Sequence, residues 1–304
     1  MTSLPANSKR ATNAALAGIG LMASGVALFA MNDALGKWLL VEYSVGELLL
    51  IRSVAALILL APFMRQAGIE AFTRAPRPWL QLLRIVLSTL EVAMFFWAVS
   101  YLPLADTVTF YLAGPIYVTA LSVVVLGEQV GWRRWLAVLV GFAGVLIALR
   151  PSAASITLPA LIALLGSMIF AGLMVTTRLL RETSNTVLVA GQLLGTLLLG
   201  AVWAPFGWVT PTPRDFSLLC LFGVVSIVAL ACVARALKFA PASVVAPYQY
   251  TFILWAIALG YVVFGDVPDA FTLTGAGIIV GAGLYILWRE RSRGREDSVP
   301  TPHP

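Results

Sequence analysis

Ionisable side chains lie inside long apolar runs of the sequence, where a charge is expensive to place. Asp33 and Lys37 stand one helical turn apart in the first run, and Arg52 lies in the second. Near the centre of a lipid-spanning helix such a group costs about 2.5 to 3.5 kcal/mol, so each is a functional candidate. Asp33 and Lys37 can form a local pair. Asp33 and Arg52 reach similar depths, which allows an interhelical salt bridge, either as a structural lock or as a gate that breaks.

Glu91 lies near the middle of the third apolar run. A carboxylate isolated in apolar surroundings readily takes up a proton. Arg84 shares roughly its helix face and can reach toward Glu91 or extend to the membrane surface. Two interpretations of Glu91 stay open: a structural hydrogen-bonded carboxyl, or a group that couples to protons or binds the amine of a solute. Glu47 and Asp106 stand nearer the ends of their runs, where we expect them to be solvated.

Aromatic and amide side chains cluster on the fourth and ninth apolar runs, which contain Pro115 and Pro247. Proline removes a backbone donor and kinks a helix, leaving carbonyl groups free to face a cavity. Rings with hydroxyl or amide groups suit an amphipathic solute. The candidate cavity residues are Asn32, Phe95, Trp97, Tyr111, Tyr117, Met174, Tyr248, Gln249 and Tyr250. The alternative is that aromatic residues face lipid or the membrane interface, which we prefer for Trp38, Trp132, Trp135, Trp208 and Trp288.

The amino-acid composition indicates that these apolar runs lie in a lipid membrane and not in water. Apolar residues make up 60% of the 304 positions and charged residues only 11%, where soluble domains carry about 25%. An ordinary soluble enzyme is therefore excluded. Cys220 and Cys232 share one apolar run and the single histidine is His303, so we expect no metal site, no cofactor and no histidine-based triad. The net charge of +6 is not gathered into one basic face, which argues against a nucleic-acid partner.

Ten runs are long enough to cross a bilayer as helices, since about 20 apolar residues span its hydrocarbon core. They are Ala14 to Leu40, Gly46 to Met64, Trp79 to Leu102, Leu104 to Leu126, Trp132 to Leu149, Leu158 to Leu180, Thr186 to Phe206, Phe216 to Phe239, Val244 to Phe264 and Phe271 to Trp288. The first is too long for a signal peptide, so we interpret it as a retained helix. The sequence predicts an all-α integral membrane protein with ten transmembrane helices.

Basic residues orient these helices. With the N-terminus inside, most Lys and Arg residues fall in the inner segments, and the outer loops hold two, Arg150 and Arg214. Because positive residues of short loops stay in the cytoplasm, both termini are predicted to be cytoplasmic.

An internal repeat divides the chain into residues 1–150 and 151–304. Pairing residue n with n + 138 aligns the third and fourth runs with the eighth and ninth, and twelve of the 49 pairs from Leu80 to Glu128 are identical. Each half then holds five helices. Since five is odd, the halves enter the bilayer from opposite faces, as in the inverted repeats of secondary transporters. Alternating access around a site near the midplane is the expected mechanism.

Several short motifs occur along the chain: Arg52, Pro103-Leu-Ala-Asp-Thr107, Pro115, Leu126-Gly-Glu128, Trp132 to Leu136, Gly141-Phe-Ala-Gly144, Pro241-Ala-Ser243 and Gly265-Asp266. With these motifs the chain resembles the drug/metabolite transporter superfamily in its EamA-type branch of ten-helix exporters. Within the branch the chain looks closest to bacterial exporters of aromatic amino acids. The resemblance implies a multi-pass protein of the bacterial cytoplasmic (inner) membrane that exports aromatic and other neutral amino acids.

Two other functions remain as alternatives. An exporter of cationic drug-like compounds would use Glu91 as a counter-ion. An integral membrane enzyme is disfavoured, because the sequence has no Gly-x-Ser-x-Gly and no Walker loop. The expected partners are thus a small solute and the bilayer. Close-packing glycines permit a monomer with tight helix contacts or a weak homodimer; they are Gly141, Gly144, Gly277, Gly281 and Gly283.

Overall fold

The computed structural model describes residues 6–127, 132–149, 157–239 and 245–296, which form α-helices joined by short turns. In chain order the α-helices are α1 Ala6–Leu39, α2 Val45–Ala67, α3 Ile69–Thr73, α4 Pro78–Val99, α5 Leu104–Leu112, α6 Gly114–Leu126, α7 Trp132–Leu149, α8 Leu158–Leu179, α9 Asn185–Trp203, α10 Pro213–Phe239, α11 Phe252–Leu259 and α12 Ala270–Glu296. Segments of tighter or wider helical geometry are the 3-10 turns Ala204–Gly207 and Ala246–Thr251 and the π-helical turn Gly260–Phe264. Sequence features that lie outside the described residues are Glu128, Arg150, Pro241-Ala-Ser243 and His303.

Helices long and apolar enough to cross a membrane number seven within the described ranges. They are Leu16–Leu39, Val45–Ala67, Pro78–Val99, Leu104–Val125, Leu158–Leu179, Asn185–Gly207 and Pro213–Phe239. The shorter apolar helices are Trp135–Ala148, Tyr248–Phe264 and Ala270–Tyr285. The chain is therefore an all-helical, multi-pass membrane protein, and the count of ten crossings stays a prediction.

Serine and glycine define corresponding helix ends in the two parts of the chain. Ser44 precedes α2 and Ser184 precedes α9, and each side-chain oxygen accepts a hydrogen bond from the backbone N–H three residues on, which is a standard N-cap. Gly127 ends α6 with φ +67° and Gly265 ends the π-helical turn with φ +71°. That left-handed conformation favours glycine. The two glycines are the pair that the n + 138 alignment equates.

The fourth and ninth runs are interrupted rather than simply kinked. The fourth run breaks at Ala113 between α5 and α6, and the ninth begins as the 3-10 turn that ends at Thr251 before α11. Pro115 has no N–H to donate to the carbonyl of residue 111, so a regular helix cannot pass through this point. Residues 113 and 251 are also 138 apart, so the interruptions fall at equivalent positions.

The packing of the long helices follows the same correspondence. α1 packs on α10 and α8 packs on α4, while α10 also contacts α2 and α4 also contacts α9. α2 packs on α9, and α7 packs on α12. When α1, α2, α4 and α7 are exchanged for α8, α9, α10 and α12, respectively, the set of contacts stays the same.

Glycines allow the closest crossings between these helices. Gly144 of α7 and Gly275 of α12 approach each other's backbone, and Gly200 of α9 packs on α2. Gly277 and Gly281, by contrast, are exposed and have open space around them. The expected close packing within the monomer therefore uses Gly144 and Gly275, and it does not use Gly277 or Gly281.

Gly223 carries a prediction about stability, because a methyl group there would collide with the backbone of Arg52. We expect Gly223→Ala to lower the free energy of unfolding by about 1 to 3 kcal/mol, since α10 and α2 would be forced apart. Thermal unfolding of the protein in detergent measures the change. Gly277→Ala is the matched control, because its methyl group meets nothing within 4 Å. Equal unfolding temperatures for both variants would contradict this packing argument.

Candidate functional site

Three ionisable side chains from three helices lie within electrostatic range of one another inside the bundle. Asp33 of α1, Arg52 of α2 and Glu91 of α4 interact electrostatically, with Arg52 attracted to both carboxylates. Within the part of the chain that the structure describes, no N–O distance of 4 Å or less joins Asp33 to Arg52. The predicted direct salt bridge is therefore replaced by a looser three-residue group, which we call the charged cluster.

Aromatic rings hold Arg52 in place. Its guanidinium carbon lies 4.8 Å from the ring centroid of Phe222 and 5.5 Å from that of Phe96, and Arg52 is only 7% exposed. A guanidinium over a ring face at this distance is a cation–π contact. Gly36 of α1 and Gly223 of α10 leave the space that this arrangement needs, since a Cβ at Gly36 would meet both rings.

Some polar atoms near the cluster have no partner in the protein. These buried atoms include Asn32 Oδ1, Arg52 Nε and Ser53 Oγ. Asn32 and Ser53 are the chain neighbours of Asp33 and Arg52. A buried polar atom without a hydrogen bond costs about 1 to 3 kcal/mol. Such donors and acceptors are the groups to which a polar solute would bind.

A line of rings extends from the charged cluster toward α8. Phe95 lies edge-on to Phe96 and to Tyr111, with centroid distances of 5.1 and 5.0 Å. Tyr111 lies 6.3 Å from Phe170. Its hydroxyl donates a 3.3 Å hydrogen bond to the backbone carbonyl of Glu91. An apolar wall with one hydroxyl therefore borders the three charges.

Lys37 forms an ion pair at one end of the bundle. Its Nζ lies 2.7 Å from Asp266 Oδ2 and 4.6 Å from the ring centroid of Phe264. The local pair of Lys37 with Asp33 that the spacing allows is thus replaced by a contact with the turn after the ninth run. We call Lys37 and Asp266 the end pair.

Other polar contacts join the two parts of the chain at the same end. The Tyr43 hydroxyl donates to Asp215 at 2.8 Å, and Thr272 Oγ1 donates to Asp106 at 2.9 Å. Burial, and then the hydrogen bond to Asp215, raise the pKa of Tyr43, so its hydroxyl stays a donor. Glu47 accepts the backbone N–H of Val209 at 3.2 Å and is fully buried. The expectation that Glu47 is solvated is wrong, because the loop before α10 covers it.

Comparison with known proteins identifies the family. The model of the EamA-like transporter family matches residues 16–150 and, a second time, residues 157–288. The chain belongs to the EamA-like transporter family.

Named relatives of this EamA-like transporter handle different solutes. The S-adenosylmethionine uptake transporter of Rickettsia bellii is 27% identical, covering 90% of this chain and 94% of that protein. The pseudopaline exporter CntI of Pseudomonas aeruginosa is 31% identical over 88% and 97% of the two chains. The riboflavin transporter of Vibrio cholerae is 26% identical over 92% and 95%. These names support transport of small solutes in general, and they do not support a particular closeness to aromatic amino acid exporters.

A solved structure shares the fold. It superposes with a TM-score of 0.58 at 18% identity and covers 92% of this chain and 98% of its own. At that identity the likeness concerns the fold alone.

The structure brings only part of the predicted cavity set together around the charged cluster. Phe95 packs edge-on to Phe96, Tyr111 donates to the carbonyl of Glu91, and Asn32 is the buried chain neighbour of Asp33. Trp97 packs against the same apolar core as Phe95 and Phe96, and its ring lies tilted on that of Tyr101. The others lie elsewhere: Tyr117 joins a second apolar cluster, Met174 and Gln249 are exposed, Tyr248 packs near Met22 and Val26, and the Tyr250 ring lies against Gly283.

Sequence reasoning missed Phe96, Phe170 and Phe222, and it named Asp266 only within the Gly265-Asp266 motif, without a role. The sequence held a signal for Phe96 and Phe222, because a buried guanidinium is stabilised by aromatic ring faces. Phe222 is also the chain neighbour of Gly223, the glycine at which α10 approaches the backbone of Arg52. The structure also places the Arg84 side chain in a position that the sequence analysis did not predict. It is buried and donates to Thr177 Oγ1 at 2.9 Å and to the Leu188 carbonyl at 2.8 Å, so it neither reaches Glu91 nor extends to the surface.

Proposed function

We propose that this chain is a secondary transporter that moves a small zwitterionic solute with an aromatic ring by alternating access. The observation that carries the proposal is Arg52, whose guanidinium lies against the rings of Phe96 and Phe222 with the Asp33 and Glu91 carboxylates in electrostatic range. A guanidinium can bind the carboxylate of an amino acid. A carboxylate of the charged cluster can bind the ammonium group, and the line of rings can contact an aromatic side chain.

Export of aromatic and other neutral amino acids remains our proposal for the natural activity. Its support is chemical, because such solutes combine a ring with one positive and one negative group. The names of the relatives do not identify the solute of this chain, since the three proteins are named for three different organic metabolites.

An inverted duplication is the proposed architecture behind alternating access, with ten crossings, halves 1–150 and 151–304, and both termini in the cytoplasm of a bacterium. Support comes from the double match of the family model, the exchange-symmetric helix contacts and the paired Gly127 and Gly265 conformations. The seven long and three shorter apolar helices found in the described ranges are compatible with this topology.

Counterflow in proteoliposomes tests the solute class. Vesicles loaded with unlabelled tryptophan are expected to accumulate labelled tryptophan. Tryptamine, which lacks the carboxylate, and indole-3-acetate, which lacks the ammonium group, are expected to compete at least tenfold more weakly. Indifference of the protein to tryptophan and to other zwitterionic amino acids would contradict the proposal.

A second candidate, export of organic cations, rests on the charge of the same cluster. Two carboxylates face one guanidinium, so the cluster carries a net negative charge when all three residues are ionised. Such a cluster attracts a cation. In the counterflow assay this function predicts that tryptamine exchanges and tryptophan does not.

Glu91→Gln tests proton coupling. Glutamine keeps the shape and polarity of the side chain but cannot release a proton, so we expect an imposed pH gradient to change solute flux much less than in the unaltered protein. Flux into proteoliposomes at several gradients measures this. Glu42→Gln, an exposed carboxylate in the turn before α2, is the control. An unchanged response to the gradient would remove Glu91 from coupling.

A further inference from the structure

We propose that a cavity between the start of α4 and the turn joining α8 to α9 binds the anionic phosphodiester headgroup of a membrane lipid. The cavity has a volume of about 270 Å³ and is lined by Pro76 and Arg77 on one side and by residues 178–183 on the other. It is separate from the charged cluster, and its occupant is independent of the transported solute.

The cavity lining has the charge for an anion. Arg77, Arg178 and Arg181 contribute three guanidinium groups, and Glu182 contributes the single carboxylate. Guanidinium groups present paired N–H donors that match the oxygens of a phosphate. An anionic group is therefore the ligand that this lining favours.

Hydrogen bonds between the start of α4 and the end of α8 with its following turn fix the shape of the cavity. Arg77 Nη1 donates to the carbonyl of Leu179, and Gln81 Nε2 donates to Thr183 Oγ1 at 3.1 Å. Arg84, two turns further along α4, is buried, and its hydrogen-bond partners Thr177 and Leu188 are neutral groups. Its charge adds to the positive potential at the cavity.

Neighbouring apolar side chains place the cavity at the depth of lipid headgroups. Trp79, next but one to Arg77, is 75% exposed, and Leu82 and Leu83 one turn later are also exposed. Tryptophan is enriched where headgroups meet hydrocarbon, and leucines beyond it suit acyl chains. A headgroup in the cavity would thus leave its chains along the outer surface of α4.

The experiment measures ligand-induced stabilisation of the purified full-length protein in detergent. Dihexanoylphosphatidylglycerol is expected to raise the unfolding temperature saturably, and dihexanoylphosphatidylcholine to do so at least tenfold more weakly. Arg77→Gln/Arg181→Gln is expected to weaken the phosphatidylglycerol effect at least tenfold. Arg65→Gln, an exposed arginine in the last turn of α2 and outside the cavity, is expected to leave it unchanged.

Each remaining outcome decides against part of the proposal. Equal affinity for glycerophosphoglycerol, which is the phosphodiester headgroup without acyl chains, would assign the cavity to soluble phosphate esters and overturn the lipid ligand. A phosphatidylglycerol effect that survives Arg77→Gln/Arg181→Gln would overturn the site. If the double variant does not fold, Arg181→Gln alone is measured, because this exposed side chain is expected to be dispensable for folding, and an unchanged affinity in it counts against the site.

Discussion

Replacing Arg52 with glutamine is expected to lower the initial rate of solute exchange in proteoliposomes at least a hundredfold. The guanidinium is the positive group that the structure places against two rings and within electrostatic range of two carboxylates. Hydrogen bonds to charged groups contribute about 1.5 to 3 kcal/mol each, and each 1.4 kcal/mol corresponds to a factor of ten. Losing a bidentate contact to a solute carboxylate therefore accounts for an effect of this size.

Arg52→Gln is also expected to destabilise the fold by about 3 to 5 kcal/mol, because Asp33 and Glu91 would lose their buried counter-ion. A second variant separates folding from function. Arg52→Gln/Glu91→Gln removes one charge of each sign and leaves only Asp33 without its counter-ion, so its unfolding temperature should recover in part while exchange stays abolished. Recovery of exchange in the double variant would show that Arg52 acts only through stability, and would contradict solute binding.

Arg52→Lys is the conservative comparison. Lysine keeps the charge but has no planar face to stack on Phe96 and Phe222, so an intermediate rate is expected. Arg65→Gln, which changes an exposed arginine of the same helix, should exchange solute at the normal rate.

Reversing one charge of the end pair is expected to reduce exchange about tenfold or more. Lys37→Asp would face Asp266 with a second carboxylate where the protein has a 2.7 Å ion pair. Both side chains are mostly buried, so the repulsion is weakly screened. If this end of the bundle closes during each transport cycle, repulsion between the two carboxylates lowers the population of the closed state and slows exchange. Lys37→Asp/Asp266→Lys restores attraction and should recover most of the rate.

Accessibility gives an independent measurement of the end pair. In a background without Cys220 and Cys232, a cysteine at Asn32 should react faster with a membrane-impermeant thiol reagent when Lys37 is changed to Asp. The charge-reversed pair should return the reaction to its original rate. Arg214→Asp changes an exposed charge that the topology places on the same side, and it should have no effect. Equal reactivity in all variants would contradict a gate here.

The lengths of the apolar runs predicted where the helices lie, because a stretch of about 20 apolar residues is a local feature of the sequence. The described helices follow the predicted runs to within several residues. The interruption at Ala113 was anticipated only as a kink at Pro115. Glu47 escaped prediction because its burial depends on Val209, a residue 162 positions away that no local pattern connects to it.

The candidate site was harder to predict, since a sequence gives the depth of a residue along a helix but not the direction in which the helix is turned. Asp33, Arg52, Glu91 and Tyr111 were found because charge and ring type mark them as unusual in lipid. Met174 and Gln249 have equally suitable chemistry and are exposed. In the sequence Phe222 cannot be distinguished from other apolar residues, and only the structure shows that its ring contacts the guanidinium of Arg52.

The paired interruptions at Ala113 and Thr251 have a mechanical consequence. A continuous helix transmits a tilt at one end to its other end, whereas two short rods joined at a break can swing separately. Each of these two runs therefore has two parts that can lean at different angles. In the alternating access that we propose, one mouth of the passage could then open without movement at the opposite mouth, and a trapped solute would not meet both aqueous sides at once.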